Sequence, residues 1–147
     1  MRKYVKRAGL ILAVLAVAIQ LVPIDRTNPP VTADLEAPPE VEAVLRAACY
    51  DCHSHETRWP WYSYVAPVSW LVAHDVEEAR AELSFSEWGL LDPREQREKR
   101  QDIWEEVAEG KMPLAKYRWV HAEARLTEEQ KGVLRAWSRG ESSARSE

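Results

Sequence analysis

Apolar residues along this chain fall into one unbroken run near the start and then into a series of spaced stripes. Residues 8–22, "AGLILAVLAVAIQLV", carry no charge and come after the basic opening "MRKYVKR". Beyond a proline-rich stretch, apolar positions recur three and four residues apart, the period of one face of a helix. Val41, Val44, Leu45 and Ala48 form such a stripe behind Pro39, which suits a first helical turn because no partner is needed there for an amide hydrogen; the stripe points onward to Cys52. Within residues 66–83, Val68, Leu71, Val72, Val76, Ala79 and Leu83 form a second. Asp92-Pro93 reads as an N-cap and first helical position. That helix runs to about Glu109, with a charged first half that leaves Ile103, Trp104, Val107 and Ala108 to pack and with Gly110 as its stop. Thr127 with Gln130 forms a capping box for a last helix bearing Val133, Leu134 and Trp137. No stretch alternates convincingly at period two, and there is no internal repeat. The expected fold is all-α, about four helices behind the N-terminal apolar segment.

That apolar segment is the start of an exported chain: cations stay on the cytoplasmic side and the remainder of the polypeptide crosses. Arg2, Lys3, Lys6 and Arg7 argue against a buried core helix. As a helix, residues 8–22 span only about 22 Å, short of a hydrocarbon core of about 30 Å. Tyr4, Val5 and Ile24 can lengthen it, with Lys6 and Arg7 reaching out to the headgroups. The small-residue site Ala16-Val17-Ala18 lies inside the run, and cleavage there would leave an apolar end. An uncleaved single-pass anchor is therefore favoured, with a cleaved signal peptide as the alternative. The chain thus divides into residues 1–24 as signal anchor or signal peptide, 25–38 as an extended proline-rich linker, 39–138 as the helical domain and 139–147 as a flexible tail.

Charge sharpens the division. Residues 1–26 hold five basic and one acidic residue, net +4, and the remainder holds 15 basic and 23 acidic, net −8, which sum to the −4 of the 147-residue chain. An acidic exported domain repels nucleic-acid phosphates and suits a basic protein partner.

The two cysteines of the chain both lie in "CYDCH", Cys49, Cys52 and His53. A thioredoxin-type redox pair needs a strand before it, and here the flanks are helical. A structural zinc site needs four ligands, and adjacent Cys52 and His53 are poorly placed to share one tetrahedral metal. A short-loop disulfide leaves His53 unexplained. The remaining reading is covalent attachment of haem c. The two thiols are spaced to form thioethers with the two vinyl groups of the porphyrin, and the next residue's imidazole comes beneath the iron as its proximal ligand. In bacteria this attachment takes place outside the cytoplasmic membrane, which agrees with an exported chain.

The residues "PPEVEAVLRAACYDCHSHETRWPWYSYVAPVSWLVAHDVEEARAELSFSEWG", with "EVAEGKMPLAKYRWVHAEARLTEEQ", resemble the haem-binding domain family of short membrane-anchored proteins with a cytochrome c-like motif. The resemblance covers roughly residues 28–137 and implies haem binding more securely than a physiological role. The order helix, Cys-x-x-Cys-His, helices, Met-Pro loop, final helix is similar to small monohaem cytochromes c, and implies a cytochrome c-like fold. In that order Met112 is the leading sixth ligand, in "EGKMPLAKY" just past Gly110, with Pro113 stiffening the loop. A soft thioether favours Fe(II) and raises the potential; the plain alternative is a methionine filling a gap in the core. His121 is the rival ligand, and an open sixth site is the third option. His55 is too close to His53 to reach the opposite haem face and is expected to be exposed or on a propionate. His74 falls opposite the second stripe, on a side shared with Trp70. Trp59, Trp61, Tyr62 and Tyr64 come directly after the attachment point and are expected either to cover the macrocycle or to pack as ordinary core; Arg58, Tyr117 and Arg118 are candidate propionate donors.

Two functions remain in view. The first is electron transfer at the outer face of the cytoplasmic membrane with redox-protein partners, the chain being a carrier and not an enzyme. In the alternative of a cleaved signal the protein is soluble in the periplasm. The second function is a gas or redox sensor, or a small peroxidase, with an open sixth site and a distal acid–base group such as His121 or Glu109.

Overall fold

The structure, a computed structural model, describes residues 1–141 and is all-helical among them. Helix α1 spans Arg2–Ala18 and continues as a 3₁₀ turn over Ile19–Leu21. It therefore takes in the basic residues before the apolar run, and its 20 residues span about 30 Å at 1.5 Å each. None of α1 is buried in the domain; it is apolar enough to cross a membrane or to serve as a signal.

The domain is built from α2 (Pro39–Ala48), α3 (Tyr50–His53), α4 (Val68–Glu82), α5 (Pro93–Ala108), α6 (Ala115–Val120) and α7 (Glu128–Ser138). The stripe expected on α2 is the buried one: Val41, Val44, Leu45 and Ala48 all lie in the interior. Helix α7 packs across α2 and α5, bringing Leu134 and Trp137 against Leu45, Ile103 and Val107. Both predicted caps are present. Asp92 accepts from the amides of Arg94 and Glu95 while Glu95 returns to the Asp92 amide, and Thr127 and Gln130 reciprocate in the same way. These pairs satisfy amides that a helix start otherwise leaves without partners.

Three features differ from the expectations drawn from sequence. Helices α3 and α6 are single short turns with too few residues to show a period. The α4 stripe is mostly not core: Val76 is its one buried residue, while Val68 and Leu71 are exposed and Ser69, off the stripe, is buried. Those apolar positions line cavities instead. The proline-rich segment is extended, yet it is tied down along its length. Thr32 and Ala33 donate to Ser86 O, Gly89 donates to Ala33 O, and Leu35 is buried in the core. Arg80 of α4 reaches Thr27 O and Asn28 Oδ1. Of the expected flexible tail, Gly140 closes α7 in the left-handed conformation (φ 72°), and residues 142–147 lie outside the described residues.

Candidate haem site

The site begins where α2 stops. Cys49 leaves helical geometry (φ −125°), and α3 restarts as one turn in which the amides of Cys52 and His53 both donate to Cys49 O, at 3.1 and 2.9 Å. One helical turn sets residues three and four apart side by side, so Cys49 neighbours both Cys52 and His53. Both thiols are free. Burial pushes the Cys49 thiol up to about 12 and the Cys52 thiol to about 11, with the neighbouring Cys52 adding to the first and Asp51 to the second.

His53 is held from behind by α4. Its Nδ1 lies 3.0 Å from Ala79 O and 3.2 Å from Leu83 O. Carbonyls only accept, so Nδ1 carries the proton, and in the neutral ring the lone pair is on Nε2. Burial lowers the imidazole's pKa, outweighing the two carbonyls that raise it. Phe85 packs edge-on to the ring at 6.3 Å and is stacked in turn between Tyr50 and Trp88.

Met112 is placed by the end of α5. Gly110 adopts φ 73° and donates to Val107 O, while the amides of Lys111 and Met112 both donate to Glu106 O at 3.0 Å. This pairing caps the helix carbonyls and requires a left-handed residue at position 110, which glycine adopts without steric cost. The methionine backbone is thereby fixed to the helix terminus.

Cys49, Cys52, His53 and Met112 line one cavity of ≈ 300 Å³, with Ala79, Leu114 and Tyr117 in its walls. A second of ≈ 340 Å³ shares Ala48, Cys49, His53, Glu82, Met112 and Pro113 with it and runs on to Leu83, Phe85, Ile103 and Val107. Each is at the low end for a small-molecule site of about 300–1,000 Å³, and together they make an apolar slot large enough for a cofactor. A haem fits this donor set: two thiols at one edge, an imidazole with a free lone pair, a thioether, and apolar walls with a buried phenyl ring. The rim is acidic, with Asp75, Glu78, Glu82, Asp102, Glu105 and Glu106 against Lys99 and Lys116.

Of the other candidates, Tyr117 borders the slot and the rest lie outside it. His121 lines a neighbouring groove of ≈ 330 Å³, which meets the slot at Cys52, Leu114 and Tyr117, and is not among the residues lining the slot with His53 and Met112. Both its nitrogens are engaged, Nε2 with the Tyr62 hydroxyl at 2.7 Å and Nδ1 with Glu123 at 3.0 Å. His55 is not exposed: 9% of its side chain is accessible, and Nδ1 bonds Pro30 O at 2.8 Å, fastening the extended segment. His74 is exposed on α4 beside Glu78. Arg58 pairs with Asp51, and the Tyr117 hydroxyl donates to Asp51 at 2.8 Å, while Arg118 lies in a different hollow. The aromatic residues after the motif are not among those lining the slot. Trp61 and Tyr62 line the His121 groove, Trp59 lines a hollow with Trp70, and Tyr64 stacks under Arg26. The contributions missed in the sequence were Phe85 and the two α4 carbonyls; backbone acceptors leave no trace in residue type, and Phe85 sits in a polar "SFS" setting.

Against curated proteins and against solved structures the chain has no match. The family model described as the haem-binding domain matches residues 14–140. With the donor set gathered around one slot and that match over most of its length, the chain belongs to the haem-binding domain family.

Proposed function

We propose that this protein is a c-type electron carrier. Cys49 and Cys52 would hold one haem through thioethers, His53 and Met112 would bind its iron, and α1 would anchor the domain at the outer face of the cytoplasmic membrane. When bound, the haem supplies a one-electron change between Fe(III) and Fe(II). The chain supplies position and environment. The carbonyls of Ala79 and Leu83 fix the His53 tautomer and ring orientation and make Nε2 more basic. The Met112 thioether favours the reduced iron, and the apolar wall from Leu83 to Val107 keeps water away, both of which raise the potential. The acidic rim suits docking of a basic redox protein over the slot.

The observation that carries this reading is that four residues from two distant stretches, Cys49 to His53 and Met112, line a single cavity. Two further facts favour a carrier over a peroxidase or gas sensor. The Glu109 carboxylate pairs with Lys111, and His121 is locked into the Tyr62–Glu123 chain outside the slot. The test uses protein made with the haem-attachment machinery. Its pyridine haemochrome should be that of a doubly thioether-linked haem, and its oxidised spectrum low-spin with the weak sulfur-to-iron band. Met112→Ala should lose that band and bind carbon monoxide when reduced, whereas the parent protein does not. Absence of bound pigment by mass spectrometry, or rapid stoichiometric carbon monoxide binding by the parent, would refute the reading.

A further inference from the structure

Residues 59–73, "WPWYSYVAPVSWLVA", carry no charged side chain in a chain that is 30% charged. The slot does not use them, and apart from Ser63, Ala66 and Ser69 they are not buried. Trp61 is 78% exposed, Tyr64 59%, and Val65, Val68 and Leu71 each more than 40%. Water-facing apolar residues are ordinary when scattered, but a contiguous group marks a surface that meets something.

What lies beside this group is the end of α1. The Gln20 side chain makes a two-point contact with the backbone of Ala66, receiving its amide at 2.9 Å and donating to its carbonyl at 3.2 Å. Arg26 donates to Ser63 O at 3.2 Å, and its guanidinium lies 4.5 Å above the Tyr64 ring. The patch therefore adjoins the point where the chain leaves its apolar helix.

We infer that this face, led by Trp61, Tyr64, Val65, Val68 and Leu71, rests in the lipid interface beside α1 and holds the domain in one orientation on the membrane. The inference rests on the reading of α1 as a retained anchor. Lipid is the occupant that the position and composition select. Trp and Tyr favour the headgroup level, where an apolar body and a polar tip are both accommodated. The domain beyond residue 26 carries net −8 and is repelled by anionic headgroups, so a charge-free face is the one that can approach. Helix α4 then links membrane to site. Its first turns carry Val68 and Leu71, and its last turn and C-cap give the Ala79 and Leu83 carbonyls that hold His53. One rigid helix of 15 residues sets the separation between lipid and iron ligand.

The test is photolabelling of the full-length, haem-loaded protein in liposomes of phosphatidylethanolamine and phosphatidylglycerol. These contain a trace of phosphatidylcholine with a diazirine close to its glycerol, and peptides are read by mass spectrometry. Label is expected on the peptides carrying residues 8–22 and residues 59–73. In the double variant Trp61→Ser, Val68→Ser, both exposed positions, the label on Tyr64, Val65 and Leu71 should fall several-fold while that on residues 8–22 is unchanged. Label confined to residues 8–22 overturns the inference while leaving the anchor intact, as does label on 59–73 that the double variant does not reduce. Label on neither peptide removes the anchor reading and this inference with it. A second copy or another protein seated on this face shields it from the lipid probe, so those occupants also give label confined to residues 8–22 and overturn the inference.

Discussion

Arg80 is the side chain whose loss should most directly show how the site is held. From the last turn of α4 it donates to Ser54 O at 2.8 Å, Thr57 Oγ1 at 2.8 Å, Asn28 Oδ1 at 2.8 Å and Thr27 O at 3.1 Å. It thus joins the residue directly after His53 to the extended segment that leads in from α1. Hydrogen bonds from a charged donor are each worth about 1.5–3 kcal/mol, but water replaces a large part of that where the acceptor is accessible. The Thr27 and Asn28 bonds are exposed, whereas those to Ser54 and Thr57 are partly buried, and Ser54 has no accessible surface. Counting mainly the two sheltered acceptors, Arg80→Ala should cost about 2–4 kcal/mol, a large share of the roughly 5–15 kcal/mol that holds a domain folded. Arg80→Lys keeps a charge but not the planar fork, and should recover about half. The assay is urea unfolding of the haem-loaded chain in detergent, monitored by circular dichroism, with unchanged slope and a lowered midpoint expected. A loss below about 0.5 kcal/mol for Arg80→Ala, or a lysine variant equal to the parent, would refute the claim that the fork clasps these segments.

The same geometry sets two further outcomes. Phe85 is 1% exposed beneath His53 and between Tyr50 and Trp88, so Phe85→Ala should destabilise by about 3–5 kcal/mol in the same unfolding assay. In polypeptide without haem (Cys49→Ser, Cys52→Ser), burial holds the His53 pKa below its usual value, so the unfolded chain takes up a proton first as pH falls. Stability should therefore decline as pH drops below about 6.5 and level off beneath the folded pKa; the urea midpoint, compared with that of the same chain carrying His53→Asn, should show the smaller decline in the variant.

Much of the site was readable from local spacing. Cys-x-x-Cys-His on a helical turn needs only three- and four-residue neighbours, and Gly110 before Met112 announces both the stop of α5 and the turn that fixes the methionine. The capping pairs at Asp92 and Thr127 are likewise set by residues three apart. The second apolar stripe was read correctly as helical, but its periodicity does not say what the face meets. Val68 and Leu71 line a groove and reach the surface, Ala79 and Leu83 border the slot, and Val76 alone of the stripe is core. The aromatic cluster after His53 reads from sequence either as cover for the macrocycle or as ordinary core, and in the structure Trp61 and Tyr62 line the groove that includes Cys52 while Ser63, Tyr64 and Ala66 meet Gln20 and Arg26 at the end of α1.

The sequence alone determined the helical class, the caps, the apolar leader and the cysteine–histidine motif, because each depends on groups within about one turn of one another. Tertiary structure decided that Met112 and not His121 shares the slot with His53, that α4 carbonyls orient the imidazole, and that the proline-rich segment lies fastened along the domain. Those outcomes depend on backbone acceptors and on side chains brought together from far along the chain, and no local pattern of residue types specifies which distant partners close packing will select.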